Sequence, residues 1–465
     1  MTILEPVLDC IKRDFDSSVS RYLDFLRIRS ISTDPAYKDE VNRAGEWLAK
    51  DLSALGFEAT LHETPGHPIL LARNPGAGVK VPHLLYYGHY DVQPPEPLEL
   101  WEHPPFQPAI VDGPYGKRVI ARGAVDDKGQ VMTFLEAFRA WKAVHGKLPV
   151  NITVLIEGEE ESGSNSLPAF LTGQADVLRT ASAAIITDTN SWDIDTPAIT
   201  YRLRGNVYVQ VTLEGPSRDL HSGLYGGAVV NPLNALTSIL GELHDASRRI
   251  QLEGFYDDVA PLSESERRAW AGLSFDETGF LREAGLTQSL GEAGYSVLER
   301  LWARPTCDLH GIWGGYTGPG SKTVIASRAS AKLSFRTVPN QNPEKILNAL
   351  DSFLKERTPP DCKWTIEHMG ASGGILVPAE GPFMQAARAG LQDIYKKPAA
   401  MVGSGGSIPV VGLMQKQLGL DSILVGFGLS DDRIHSPNEK FELRCLMNGI
   451  QSQAAILARM AEVRL

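Results

Sequence analysis

Short apolar runs that end in carboxylates or imidazole recur along this chain, and they constrain its fold more than any other feature. The first is LLYYGHYDVQPPE, residues 84 to 96. Leu84 to Tyr87 reads as a buried strand that breaks at Gly88 into His89, Tyr90 and Asp91. Residues i and i+2 of an extended segment point the same way, so His89 and Asp91 can serve one site; a capped loop with an incidental histidine is the plainer reading. IARGAVDDKGQ, residues 120 to 130, sets Asp126 and Asp127 just before a helical pattern. VLIEGEEESGS, residues 154 to 164, ends a strand in Glu159, Glu160 and Glu161. AAIITDTNSW, residues 183 to 192, ends another in Asp188, and ILVGFGLSDDRIHSPNE, residues 423 to 439, carries His435 beyond a third. Each alone has an ordinary account: a helix cap, a solvated charge run, a structural histidine. Together they put acid or imidazole where buried strands run out, and clustered like charge is costly in a crevice unless cations compensate it.

The same runs organise the chain. Helical spacing at 5–27 and 38–54 precedes strand candidates at 82–87, 150–157 and 183–187, with a helix predicted over 128–142. That alternation predicts a layered α/β domain whose strands deliver polar residues from their carboxyl ends. Near residue 200 the texture changes. VYVQVTLEG (207–215) alternates like a half-exposed strand, NPLNALTSILGELHDA (231–246) reads as a helix, and TVIASRASAKLSFRTV (323–338) as one or two strands. A helix over 343–358 and a strand in CKWTIEHM (362–369) follow. Two strand–helix units of this kind predict a small antiparallel sheet with helices on one face, inserted into the first domain. After about residue 380 the α/β texture returns, with helices at 381–396, 410–419 and 441–462 and the strand SILVGFG at 422–428. The expected division is therefore 1–200 and 381–465 for one domain and 201–380 for the insert.

A chain of 465 residues has room for two cores. Its formal charge of -11 argues against nucleic acid as a partner and leaves an anionic substrate open. Cys10, Cys307, Cys362 and Cys445 are scattered and form no CxxC pair, which fits free thiols in a reducing cytosol. Charges interrupt every apolar run of MTILEPVLDCIKRDFDSS, so no signal peptide is expected, and no apolar stretch is long enough to predict a membrane span. Two divalent ions would neutralise three carboxylates and a bound hydroxide, with two imidazoles completing the shells. Such a nitrogen and oxygen set suits zinc or a similar first-row ion.

The segments GHYDVQP, ARGAVDDKG, EGEEESGS, ITDTNSW, DLHSGLYGG, GIWGGYTGPGSKTVI, FRTVPNQ, GGSIPV and HSPNE resemble, in order from about residue 80 to 440, those of the M20-type dinuclear metallopeptidases. That family includes carnosinases, cytosolic nonspecific dipeptidases and, more distantly, aminoacylases and succinyl-diaminopimelate desuccinylase. The resemblance implies an α/β, phosphorylase/hydrolase-like zinc-peptidase catalytic domain with an inserted α+β, ferredoxin-like lid and dimerisation domain. It implies two divalent ions per chain: zinc first, with manganese and cobalt also fitting. One ion would be held by His89, Asp126 and Asp188 and the other by Asp126, Glu161 and His435, with Asp91 orienting His89. The family pattern of two acids, one variable residue and Gly-Ser makes Glu160 the general base and Glu161 the ligand. A cis peptide is expected at Asp126-Asp127. His221 would reach the partner's active site in a homodimer, while Arg336, Thr323 and the loop Gly405, Gly406 and Ser407 would hold the substrate's carboxylate end. The implied activity is hydrolysis of dipeptides with a free C-terminal carboxylate in the cytoplasm. N-acyl or N-carbamoyl amino acids are the alternative substrates of the same metal site. Gly403 and Ser404 stand where dipeptidase relatives commonly carry an arginine and an acid, and GIWGGYTGPG (311–320) is expected to be a flexible lid segment.

Overall fold

A computed structural model describes residues 3–464 apart from residue 79. The chain divides into two compact units, one of Met1–Tyr201, Val377–Val402 and Leu413–Leu465, the other of Arg202–Leu376 and Gly403–Gly412.

In the first unit a mixed sheet runs in the order Glu58–His62, Ile69–Asn74, Asn151–Glu157, His83–His89, Ala183–Ile186, Ser422–Leu424, Ala198–Leu203. The four strands from Asn151–Glu157 to Ser422–Leu424 are mutually parallel, so their carboxyl ends share one edge. These strands are apolar on both faces, as a sheet covered by helices requires. The helix Lys128–His145 is buried along most of its length, and its Phe134 and Phe138 pack on Tyr86 of the central strand. Helix Leu443–Met460 also enters this core. The helical stretch expected over 5–27 is two helices, Glu5–Arg13 and Phe15–Leu26, separated by Asp14 at φ -101°, ψ 12°. A separate three-stranded sheet pairs Lys440–Glu442 with Gly116–Ile120, which in turn pairs with Ala109–Gly113.

The second unit is built on an antiparallel sheet in the order Thr306–Gly314, Arg328–Thr337, Gly205–Glu214, Lys363–Ser372. With helices Pro232–Gly241 and Pro343–Glu356 the chain order is βαββαβ, the ferredoxin-like arrangement. Gly205–Glu214 alternates buried and half-buried residues, and Val207, Val209 and Val211 join Leu236 and Leu350 of the helices in one core.

Three expectations change. Gly311 to Gly314 of the glycine-rich segment are in the sheet, paired with Lys332 to Ala329, because a register shift between Leu309 and Gly311 lets the edge strand continue. Only the remainder, Gly315 to Gly320, is a loop. Gly403–Gly412 groups with the insert rather than with the rest of 381–465. Helices Glu264–Ala271, Glu277–Glu283 and Val297–Trp302 were not anticipated, although the capping boxes Ser263/Glu266 and Ser296/Glu299 mark two of their starts.

Candidate metal centre and active site

Three of the parallel strands deliver the site directly. His89 closes its strand; Glu160 and Glu161 form the single turn after Asn151–Glu157; Asp188 follows Ala183–Ile186. His435 comes from the loop beyond Ser422–Leu424, in a left-handed conformation at φ 60°. Asp126 precedes helix Lys128–His145, across a cis peptide to Asp127. The strand does not break at Gly88 as expected but runs on to His89, with Gly88 paired to Ile156; glycine there has a steric cause, since a Cβ would lie 2.7 Å from both Asp127 Oδ2 and Val131 Cγ2. Asp127 Oδ2 accepts the His89 backbone N–H at 3.1 Å, which ties the end of the strand to the start of the helix.

Asp126 is the hub. Its Oδ1 lies 3.2 Å from His89 Nε2 and its Oδ2 lies 2.9 Å from His435 Nε2. His435 Nε2 is also 3.3 Å from Glu161 Oε2. Donor atoms of His89, Asp126 and Asp188 lie within 4.8 Å of one another, and so do those of Asp126, Glu161 and His435. Two triads sharing one carboxylate, each containing a single imidazole, fit a pair of first-row divalent ions with nitrogen and oxygen donors. The electrostatics also call for positive charge. Burial, then repulsion from Asp126, lifts Asp188 to about 7, while burial lifts Glu160 to about 9, with Asp188, Glu161 and Asp91 adding to the rise and His89 opposing it.

The three consecutive glutamates point to three places. Glu159 accepts the Ser166 N–H at 3.1 Å, away from the triads. Glu161 joins His435 and accepts from Gln93 Nε2 at 2.7 Å. Glu160 makes no side-chain hydrogen bond to the described residues, so its carboxyl group is left for something else.

Asp91 lies beneath His89, with Oδ1 3.3 Å from His89 Nδ1. It also accepts from Ser32 Oγ at 2.6 Å and from the backbone N–H groups of Glu160 and Glu161 at 3.3 and 3.0 Å. One buried carboxylate thereby fixes a ring and the glutamate turn together. Sequence reasoning missed Glu439. Its Oε1 accepts Val125 N and Asp126 N at 2.9 and 3.1 Å, and its Oε2 accepts Gly123 N and Arg122 Nη1, both at 2.9 Å. Glu439 is fully buried just before the strand Lys440–Glu442, and nothing local in the sequence marks that burial. Gln93, which donates to Glu161, was missed in the same way.

In the second unit, His221 pairs with Val324, and Ser222 N donates to Thr323 O at 3.1 Å, which sets His221 and Thr323 side by side. His221 is exposed, and its Nδ1 accepts Gly223 N–H at 3.0 Å. An imidazole that accepts at Nδ1 carries its proton on Nε2, free to donate. Arg336 pairs with Asn206 in the sheet, and the turn at Gly405 and Gly406 leads through Ser407 into the helix Pro409–Leu413.

An α/β sheet whose parallel strands end beside Asp126 and His435, gathering two imidazoles and three carboxylates, fits the class of metal-dependent hydrolases. Comparison with known proteins narrows this. The model of peptidase family M20/M25/M40 matches residues 85–459. The Cys-Gly metallodipeptidase DUG1 of Candida albicans is 32% identical over 474 residues, covering 98% of this chain and 96% of that protein. The beta-Ala-His dipeptidase of Homo sapiens is 30% identical over 482 residues, covering 99% and 93% respectively. Among solved structures, the dipeptidase Dug1p of Saccharomyces cerevisiae superposes with a TM-score of 0.84 at 30% identity, over 100% of both chains. The chain belongs to peptidase family M20/M25/M40 and is a metal-dependent peptide hydrolase.

Proposed function

We propose that this chain hydrolyses dipeptides with a free C-terminal carboxylate, using the Asp126-centred triads as a dinuclear metal site and Glu160 as the proton carrier. The observation that carries the reading is Asp126, whose two oxygens face two different imidazoles while an unpaired Glu160 stands beside the cluster. Relatives aligned over almost their whole length are named as dipeptidases. Two divalent ions, when bound, supply Lewis-acid polarisation of the scissile carbonyl and make water more acidic. Zinc, manganese and cobalt all suit the donors.

The residues divide the remaining work. Glu160 takes a proton from the attacking water and returns it to the leaving amine. Neighbouring positive charge is what allows it to ionise near neutral pH, because burial otherwise holds it at about 9. Asp91 keeps His89 oriented. His221 donates from Nε2 to the oxygen of the tetrahedral intermediate in the partner chain of a homodimer, and Arg336, Thr323 and Gly405 to Ser407 hold the carboxylate end of the substrate. The inserted unit thus serves as lid and dimerisation domain. The four cysteines are free, and no helix of the described residues is long and apolar enough to cross a membrane. The free thiols fit a reducing compartment such as the cytoplasm as the site of action.

The test is kcat/KM for Ala-Ala, N-acetyl-Ala and N-carbamoyl-Ala with zinc, manganese or cobalt supplied separately. The free dipeptide leads under at least one metal. N-acetyl-Ala or N-carbamoyl-Ala outrunning a broad dipeptide panel under every metal makes the chain a deacylase with the same metal site.

A further inference from the structure

Arg204 lies immediately before the strand Gly205–Glu214. In that ladder Arg336 pairs with Asn206 and Thr337 with Gly205. Arg204, one residue outside the strand, therefore lies at the same end of the ladder as Arg336. Two arginines thus stand at one end of the inserted sheet, near enough for the charge of Arg336 to act on Arg204.

Arg204 is only 8% exposed. Its Nε donates to Gly405 O at 3.1 Å and its Nη1 to Arg300 O at 3.4 Å, and neither partner carries charge. Arg336 has no ion-pair partner among the described residues either. Burial, and then the charge of Arg336, lower the pKa of Arg204 to about 10, with Asp308 opposing. Tying two backbone carbonyls together needs donors but not charge, and a buried cation beside a second cation is costly unless an anion joins them. Gly405 leaves room for one. A Cβ at that position would lie 3.0 Å from Arg204 Nη2, so the absence of a side chain keeps that nitrogen uncovered.

We propose that Arg204 and Arg336 together bind the C-terminal carboxylate of the peptide substrate, Arg204 donating from Nη2 across the face of Gly405. This rests on the dipeptidase reading above and adds a second cation to its carboxylate subsite. Arg336 offers the planar fork of paired donors that suits a carboxylate, while Arg204, whose Nε and Nη1 are engaged, adds a charged donor from Nη2. Through Nε, the same side chain fixes the Gly405 carbonyl, which couples the placement of the loop to the binding of the anion.

The experiment compares Ala-Ala with Ala-Ala amide in the wild-type holoenzyme, Arg204→Gln and Arg204→Lys, with metal content and thermal unfolding recorded for each. Arg204→Gln is expected to raise KM for Ala-Ala and lower its kcat/KM by about 10- to 150-fold, the worth of a charged hydrogen bond, while changing the amide far less. Arg204→Lys restores part of the preference for the free acid. Equal losses on acid and amide in a folded, metal-replete Arg204→Gln enzyme overturn the proposal and leave Arg204 as a tie for the loop. If Arg204→Gln does not fold, Arg204→Lys decides: an acid-to-amide ratio equal to wild type overturns the proposal, and a reduced ratio supports it. A wild-type enzyme that cleaves N-acetyl-Ala and not Ala-Ala contradicts the dipeptidase reading alone, and the pair N-acetyl-Ala and N-acetyl-Ala amide then carries the same test of Arg204.

Discussion

Glu439 Oε1 accepts the backbone N–H of Asp126 at 3.1 Å, so the hub of the proposed metal site is held by a carboxylate far away in sequence. The pairing of Lys440 with Ile120 creates this meeting, because it brings the residue before Lys440 against the segment that leads to Asp126. Replacing Glu439 with Ala would strand a buried Arg122 guanidinium and three backbone N–H groups. Loss of a buried charge partner costs about 3–5 kcal/mol, and loss of a group that orients ligands weakens metal affinity about 10- to 100-fold. Chemical denaturation and metal titration of Glu439→Ala read both effects. Stability and affinity equal to wild type would show that the loop holds its shape without Glu439.

The proposed mechanism gives Glu160 and Glu161, neighbours in one turn, two different roles. Glu160→Gln is expected to retain its metal and lower turnover about 100- to 10,000-fold, while Glu161→Gln weakens metal binding. Metal analysis and kcat on the two variants check this. The reverse pattern, with Glu160→Gln stripped and Glu161→Gln replete, would exchange the two roles.

Metal loading should release protons. Hydrogen bonds to Asp126 and Glu161 lift His435 to about 10, so without metal it is protonated at neutral pH, whereas a coordinating imidazole must be neutral. Apparent affinity therefore falls as pH drops below about 10, by up to tenfold per pH unit for each proton displaced. Calorimetric titration at pH 7.5, in buffers of differing ionisation enthalpy, measures the number released. A binding heat independent of the buffer would contradict the expectation.

His221 offers a test of the dimer. If it serves the partner's site, a mixed dimer of His221→Ala and Glu160→Gln chains contains one doubly damaged site and one intact site. Mixing the two inactive proteins should recover part of the activity once heterodimers form. Verified heterodimers without recovery would assign His221 to its own chain's site or to a structural role.

How much of this was legible in the sequence follows from the range of each interaction. His89, Glu160, Glu161 and Asp188 stood out because each closes or follows an apolar strand of the parallel core, a pattern that survives within ten residues. The ferredoxin-like unit was legible from the alternation in Gly205–Glu214 and the helical spacing of Pro343–Glu356. Glu439 and Arg204 were not. Their partners, Asp126 and Gly405, are joined to them by strand pairing and loop return over hundreds of residues, and no local period encodes that. Gly311 to Gly314 misled for the opposite reason: glycine signals a loop locally, yet the ladder with Arg328–Thr337 supplies the hydrogen bonds that hold it as a strand.

The most direct test of the dinuclear account is the metal content of purified, reconstituted enzyme measured alongside its activity, in wild type and in Asp126→Ala. Because Asp126 faces both His89 and His435, the account predicts two divalent ions per chain in wild type, and loss of both ions and of peptide hydrolysis in the variant. One tightly bound ion in fully active wild type, or an Asp126→Ala enzyme that keeps both ions, would contradict it.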